Sequence, residues 1–477
     1  MLEAATNVTF WLVLGTLLWM LARTRGDGGD ILRPAGRFLR KPVVLVALGL
    51  GAFFNVSSAI YVGYVAPRDI MQDVVSARLL LSGKPAFPLS MTAEIKDALE
   101  HEPPPFTLSQ WVPALRAREQ RAYAQVVTSP WVQAHPPAMT LLLIPFVASL
   151  AIRHAYLVYT LLSLGCLLLS LAILLKELAF VRGNRAQLAL LFAVLGWFQL
   201  GVMLRLGQSG VLLGLLLTVA WYFLRREKPT AAGVAVALAV TLKLFPAFLF
   251  PYLFLRQRRA FWAALVATAA FAGTTAAIVG RANLVDYSEV TKFVETYYRG
   301  FPGNLSLLSW LVTLAGTVNR DSALPGVLFV LVLGAIVAAM LWRFRQHAPV
   351  DAIARLDCEY AAFVALLPIV SPVAWDHYLT LLLLPLLVLA KRMTQSPALS
   401  RGRVLVLAGA VLAVVTPQPA LGRLAQLLQG IFPHNAANLL EKLPTVGVIL
   451  IAGMLVRARQ ERRVAAPVPA ATVQLAA

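Results

Sequence analysis

Eleven apolar runs, most of them close to bilayer-crossing length and separated by short clusters of arginine and lysine, decide what this chain can fold into. They lie at residues 7–22, 43–65, 155–175, 187–203, 210–224, 260–280, 324–342, 359–371, 378–390, 404–416 and 444–456. A membrane-crossing helix needs about 20 mostly apolar residues. In lipid each backbone N–H and C=O must be satisfied within the segment, which favours helices. Hydrophobic residues make up 59% of the 477 positions and charged ones only 13%. A water-soluble core of this length cannot cover that much apolar surface, so the solvent is lipid.

The formal charge of +20 is then read by position. A nucleic-acid binder needs one contiguous basic face. Here the cations fall between apolar runs, the pattern that marks cytoplasmic ends. One cluster comprises Arg23, Arg25, Arg33, Arg37, Arg40 and Lys41; others centre on Lys176/Arg182/Arg185, Arg225/Arg226/Lys228, Arg256/Arg258/Arg259, Arg343/Arg345/Arg355, Lys391/Arg392/Arg401/Arg403 and Arg457/Arg459/Arg462/Arg463. The first run is followed, not preceded, by its positive charges, which fits an anchor with its N-terminus outside rather than a cleaved signal peptide. Cys166 lies in an apolar run and Cys358 beside a basic loop, so the two cysteines supply no disulfide or metal framework.

Basic clusters on both sides of 231–255 predict that this stretch enters and leaves on one face, as two short helices bent at Lys243–Pro246. Proline breaks a helix there, and irregular backbone at membrane depth is tolerated only against protein or a water-filled cavity. The proline-flanked stretch 138–152 reads as a re-entrant or interfacial helix. The outer face then receives 66–137, 204–209, 281–303, 371–377 and 417–443. The first of these holds seven basic and seven acidic side chains, without the cationic excess that retains a loop in the cytoplasm. The expected fold class is an all-α membrane protein, a polytopic bundle of about 11–13 transmembrane helices with short re-entrant helices and a long first extracytoplasmic loop. Residues 1–42 form an N-terminal anchor and basic loop, 43–400 the core with the outer loop 66–137, 401–456 the C-terminal transmembrane helices and 457–477 a disordered cytoplasmic tail.

Several polar residues converge on that outer face. Asp69 and Asp73 are four apart, on one helical face, with Arg68 and Arg78 near enough in sequence to hold either ionised. Such a carboxylate suits general-base work, although one at a membrane boundary also serves as a helix cap. His135 precedes Pro136 and Pro137. Arg205 and Gln208 belong to a glycine-containing turn and offer hydrogen bonds to an anionic or sugar ligand. Lys243 lies inside an apolar stretch, where an ionised lysine needs a cavity or an anionic partner such as a lipid phosphate, unless it snorkels to the interface. Trp375, Asp376 and His377 are wedged between two apolar runs. Asn304, after Tyr297 and Tyr298, adds a further polar candidate.

These motifs, taken in order, resemble glycosyltransferase family 87, polyprenyl-phosphate-mannose-dependent enzymes of the GT-C superfamily. The resemblance rests on Asp69 followed by Ala77, Leu79, Leu80 and Gly83; on His135-Pro136-Pro137; on Gly207-Gln208; on Leu242, Lys243 and Phe245-Pro246; on Asn304 and Ser306; and on Ser371-Pro372 through Trp375, Asp376 and His377. It covers roughly 60–390, which makes 43–400 the expected catalytic core. The N-terminal span, the Pro/Arg-rich insertion 90–130 and Asp73 depart from the pattern. By resemblance, Asp69 matches the catalytic carboxylate, with Asp73 as its rival, His377 matches a second active-site residue, and Lys243 falls at a phosphate contact.

The resemblance implies transfer of a sugar, mannose first among candidates, from a polyprenyl-phosphate donor to a lipid-linked glycan or polysaccharide, on the extracytoplasmic side of the plasma membrane. Asp69 would deprotonate the acceptor hydroxyl and invert the anomeric carbon. Lys243, with Arg205 or His377, would steady the leaving phosphate. No Gly-rich nucleotide loop and no acidic cluster calls for a cofactor or metal, and no nucleic-acid partner is expected. A transporter or lipid-linked glycan flippase also places polar groups at broken helices, but shows inverted repeats, which are not seen. A polysaccharide polymerase or ligase using a pyrophosphate carrier calls for more outer-face arginines.

Overall fold

The computed structural model describes residues 41–458, apart from 103–104, 111–112, 114–115, 130, 148–149, 182, 316–322, 347–350, 396–400, 430 and 432–437. The expected span at 7–22 and the tail beyond 458 lie outside the described residues. In chain order the helices are α1 Pro42–Val65, α2 Asp69–Leu81, α3 Thr92–Glu100, α4 Arg116–Thr128, α5 Pro137–Val147, α6 Ile152–Leu178, α7 Asn184–Leu195, α8 Phe198–Leu206, α9 Gly210–Arg225, α10 Pro229–Leu242, α11 Phe250–Arg256, α12 Arg258–Val279, α13 Arg281–Tyr298, α14 Leu307–Ala315, α15 Leu324–Gln346, α16 Ala352–Val370, α17 Leu383–Gln395, α18 Arg401–Val415, α19 Gln418–Leu428 and α20 Leu443–Ala458. Tight 3₁₀ turns occupy Leu108–Gln110, Phe245–Leu249 and Asp376–Leu382. No strand occurs among the described residues.

The architecture is the expected all-helical, multi-pass one. Five helical segments are long and apolar enough to span alone: α1, α6, α12, Leu324–Arg345 and Asp376–Gln395. Two bent pairs, α7–α8 at 55° and α18–α19 at 98°, raise the number to seven among the described residues. Several remaining apolar runs form shorter helices, including α5, α9, α10 and α20. Lys243 ends α10, and Gly207 ends α8 just ahead of α9. Burial sorts the long helices by surroundings. Only 11% of the spanning window of α12 or of α15 is covered by protein, and Val266, Trp262, Leu331 and Val330 point outward. Such faces need lipid. By contrast, α16 is buried without interruption from Asp357 to Val370 and forms the axis of the bundle.

At one end of that axis the basic clusters meet. Arg225 grips Asp357 with two hydrogen bonds of 2.6 and 2.7 Å, donates to the Glu177 carboxylate at 3.3 Å and stacks over Trp221 at 4.8 Å. Arg392 approaches Asp357 at 3.6 Å. Arg256 donates to Phe344 O at 2.9 Å and pairs with Glu359, which also faces Arg355. Since Arg225 precedes α10 and Arg256 closes α11, both ends of 229–256 return to this ionic belt. The stretch is therefore a hairpin, as the flanking charges predict. Lys243 sits at its tip in extended conformation, φ −150° and ψ 129°. The belt thus ties α6, α9, α11, α15, α16 and α17 together at one end of the bundle.

Candidate active site

The opposite end carries the sequence-predicted polar residues, and α2 organises them. The chain leaves α1 through Ala66, Pro67 and Arg68 and begins α2 at Asp69, so this carboxylate stands in the first turn, where the helix dipole favours negative charge. Gly207 makes its approach possible. That residue caps α8 in the left-handed region, φ 69° and ψ 37°, and a Cβ there would lie 2.7 Å from Ile70 Cβ. Only glycine gives both the backbone turn and the clearance. The next residue, Gln208, donates from Nε2 to Asp69 Oδ2 at 2.5 Å. Its Oε1 accepts from Lys243 Nζ at 3.4 Å, and Lys243 in turn reaches Tyr378 OH at 3.5 Å. Gln208 and Lys243 are buried while Asp69 is half-buried. One amide therefore bridges a carboxylate and an ammonium group.

Asp73, one turn further along α2, has a different environment. It is fully buried. Gln133 Nε2 donates to Oδ1 at 2.7 Å, and His135 Nδ1 lies 2.7 Å from Oδ2. Gln133 also reaches Thr140 Oγ1 at 3.1 Å. Residues 131–134 carry no regular helix, so 133 and 135 can face one side, as alternate residues do in extended chain. Asp73 thus has both oxygens engaged and fixes the imidazole of His135, whereas Asp69 keeps Oδ1 without such a clamp.

The second half of the site comes from the chain between α16 and α17. His377 is 2% exposed, and its Nε2 has no hydrogen-bond partner among the described residues. Lys243 and His135 are its electrostatic neighbours, which joins the two carboxylate clusters. Asp376 Oδ1 lies 3.9 Å from His377 Nδ1. Arg205, Trp375 and Asp376 line one cavity of about 600 Å³ together with Phe301, Arg423 and Glu441. Trp375 packs edge-on against Tyr298 at 5.1 Å, and Tyr298 is close enough to Asp69 and Arg68 to feel their charges. The Arg68 guanidinium stands 5.8 Å from the Trp131 ring centre.

Asn304 occupies the same end but has no free hydrogen-bonding capacity. Its Nδ2 donates to Tyr298 O and Pro372 O, and its Oδ1 accepts from Ser306 N and Ala374 N, all within 2.9–3.1 Å. It ties two loops together rather than facing a ligand. Lys442, which sequence reasoning passed over, reinforces the same loop. Fully buried, it donates to Phe301 O, Pro302 O and Asn304 O and to Ser309 Oγ, at 2.8–3.3 Å. A lone lysine just before the apolar run 444–456, on the face that lacks basic clusters, was the signal. Tyr378, Tyr298 and Gln133 are further participants outside the predicted set. Among the described residues, no group of three or more His, Cys, Asp or Glu side chains is placed to hold a metal.

An all-helical membrane bundle with a carboxylate, an ammonium and an imidazole whose Nε2 lacks a partner, gathered at one end, suits a membrane-embedded group-transfer enzyme. The chain belongs to glycosyltransferase family 87, whose sequence profile matches residues 133–372. No curated protein and no solved structure matches it. It is accordingly a glycosyltransferase. The matched region begins at Gln133 and includes His135, Arg205, Gln208, Lys243 and Asn304. Asp69 and Asp73 lie outside it and are drawn to it by Gln208, Gln133 and His135.

Proposed function

We propose that this glycosyltransferase moves a sugar, mannose first among candidates, from a polyprenyl-phosphate donor to a hydroxyl of a lipid-linked glycan or polysaccharide, with Asp69 as general base. The supporting observation is the Asp69–Gln208–Lys243 line. A base and a cation held at fixed separation by one amide match the two charges of a displacement, the proton leaving the nucleophile and the phosphate leaving the donor. Asp69 takes the acceptor proton as the hydroxyl attacks the anomeric carbon. The glycosyl–oxygen bond to the phosphate breaks, and its electron pair leaves with the phosphate toward Lys243. Arg205 and the unpaired Nε2 of His377 are further groups for that phosphate. One such displacement inverts the anomeric configuration.

Asp73 takes the supporting part in this reading, since its oxygens are occupied by Gln133 and His135. The GT-C assignment and the extracytoplasmic, plasma-membrane orientation belong to the same proposal. They draw support from the ionic belt, because Arg225, Arg256, Arg355 and Arg392 gather at the end away from Asp69, as cytoplasmic ends do. The test is transfer from labelled polyprenyl-phosphate mannose by the purified, reconstituted protein. Asp69→Asn is expected to lower kcat by at least about 10²-fold, the worth of a general base. Asp73→Asn is expected to cost mainly stability, about 1.5–3 kcal/mol for a hydrogen bond to a charged group. Full transfer by Asp69→Asn removes the base assignment, and no transfer from any polyprenyl-phosphate sugar removes the donor.

A further inference from the structure

The insertion 90–130 lies wholly outside the region matched by the family, yet its described residues are tied into the site end of the bundle. Glu102 accepts a hydrogen bond from Ile152 N and so caps α6, with Arg153 at 3.7 Å and Arg78 at 3.6 Å. Arg78 also donates to Leu150 O at 3.0 Å. Further along, the 3₁₀ turn Leu108–Gln110 is pinned to α1. Leu108 N donates to Tyr61 OH at 2.6 Å, Ser109 N donates to Glu119 Oε1 at 3.0 Å, and Tyr61 OH donates to the same carboxylate oxygen.

These attachments frame a cavity of about 420 Å³ whose wall includes Tyr64, Glu102, Phe106, Gln110, Arg153 and His154. Small-ligand sites occupy about 300–1,000 Å³. The floor is an ion pair already made, since Glu102 is 7% and Arg153 5% exposed in their side chains. The rim is different: Phe106 is 56% exposed, and Gln110 and His154 are exposed too. The exposed Phe106 ring and the half-buried Tyr64 ring, beside an amide, an imidazole and the buried Glu102–Arg153 pair, offer flat apolar faces and hydroxyl-directed hydrogen bonds. A neutral pyranose needs that combination, with C–H faces for the rings and hydroxyls for the polar groups. The position also fits. Tyr64 and Asp69 are five residues apart (69 − 64), which bounds their Cα separation at about 18 Å.

We propose that this cavity is an acceptor subsite, holding a neutral hexose unit of the saccharide whose next hydroxyl is presented to Asp69. It rests on the reading of Asp69 as the base toward a saccharide acceptor, but its binding function is separable from catalysis. The probes are two neutral trisaccharides, an α-linked mannotriose and an α-linked glucotriose, with the full chain in lipid nanodiscs. Saturation-transfer NMR reads binding, and transfer kinetics read the acceptor KM.

At least one trisaccharide is expected to receive saturation from the wild-type protein and from Asp69→Asn alike. Phe106→Ala, at an exposed side chain, is expected to weaken that binding and raise the acceptor KM about tenfold, the worth of one aromatic contact, with kcat and the donor KM unchanged. Gln110→Ala is expected to act in the same direction. Binding that depends on Phe106, in a protein that transfers nothing from polyprenyl-phosphate sugars, overturns the donor reading and leaves the subsite standing. No saturation of either trisaccharide, or a Phe106→Ala protein with unchanged binding and KM, overturns the subsite.

Discussion

Replacing Gly207 with alanine separates the two demands that the Gly207–Gln208 turn places on the chain. Gly207 has φ 69°, and a left-handed conformation costs a residue with a Cβ about 1–2 kcal/mol. Its Cβ would also meet Ile70 Cβ at 2.7 Å, and Ile70 is fully buried. Reaching ordinary contact at 3.4 Å requires an opening of 0.7 Å (3.4 − 2.7) between α8 and the first turn of α2. Overpacking of that kind costs about 1–3 kcal/mol. Together the variant loses roughly 2–5 kcal/mol of stability. The opening falls across the Gln208–Asp69 hydrogen bond, and misplacement by about 1 Å at a reacting group costs up to about 10²-fold in rate. Gly83 supplies the control, with φ 70° and open space around its missing Cβ. Gly83→Ala therefore incurs the backbone strain alone. The assays are the thermal unfolding midpoint in detergent and kcat/KM for sugar transfer. Both variants are expected to melt earlier, and only Gly207→Ala to lose transfer. A Gly207→Ala protein that keeps its kcat/KM refutes the idea that catalysis depends on the Gln208–Asp69 approach.

Three further outcomes follow from groups away from the bridge. Arg225→Ala leaves the buried Asp357 without its bidentate partner and is expected to cost about 3–5 kcal/mol in unfolding, with the donor KM unchanged; a loss below 1 kcal/mol would falsify the ionic belt as a structural lock. Burial pushes the Lys442 ammonium down to about 8 from its ordinary 10.5, against the pull of Glu441. Unfolding then takes up a proton between those two values, so wild-type stability rises with pH across that window while Lys442→Met gives a flat profile there. Glu119 is desolvated, which raises its pKa, but hydrogen bonds from Ser109 and Tyr61 and the charge of Arg116 outweigh that and hold it below 4.5. Its contribution is present above 4.5 and is lost as pH falls through the lowered value, so hydrogen exchange at Leu108 and Ser109 should accelerate in acid in the wild type but not in Glu119→Gln.

What was legible in the sequence follows from which forces leave a local trace. Apolar length and interrupting charge are local, so the helices α1, α6, α12 and α15 match their runs closely. The hairpin at Lys243 was readable because two basic clusters flanked one apolar stretch. Helix ends and surroundings were less readable, because hydropathy does not register where Gly207 or Lys243 ends a helix, nor that α16 is surrounded by protein instead of lipid. The carboxylate pair shows the same limit. Spacing puts Asp69 and Asp73 on one face, yet what distinguishes them is Gln133, His135 and Gln208, each more than 50 residues away in sequence. Asn304 looked available because an asparagine after two tyrosines carries no sign that four backbone groups will claim it. Lys442 was visible as a charge out of place, and its four acceptors became evident only in three dimensions.

The polarity of Gln208 limits how this enzyme can diverge. An amide has a donating and an accepting end, and here they face a carboxylate and an ammonium. A glutamate at that position would place a second negative charge against Asp69, and a lysine or arginine would repel Lys243. Position 208 is therefore constrained from both sides, and a change at Asp69 or Lys243 alters the demand on it at once. Mutational paths through this triad must move in concert, whereas exposed insertion residues without such partners, such as Phe106 and Gln110 at the cavity rim, can change one at a time. Diversification of the enzyme should thus accumulate at its rim while the bridge stays fixed.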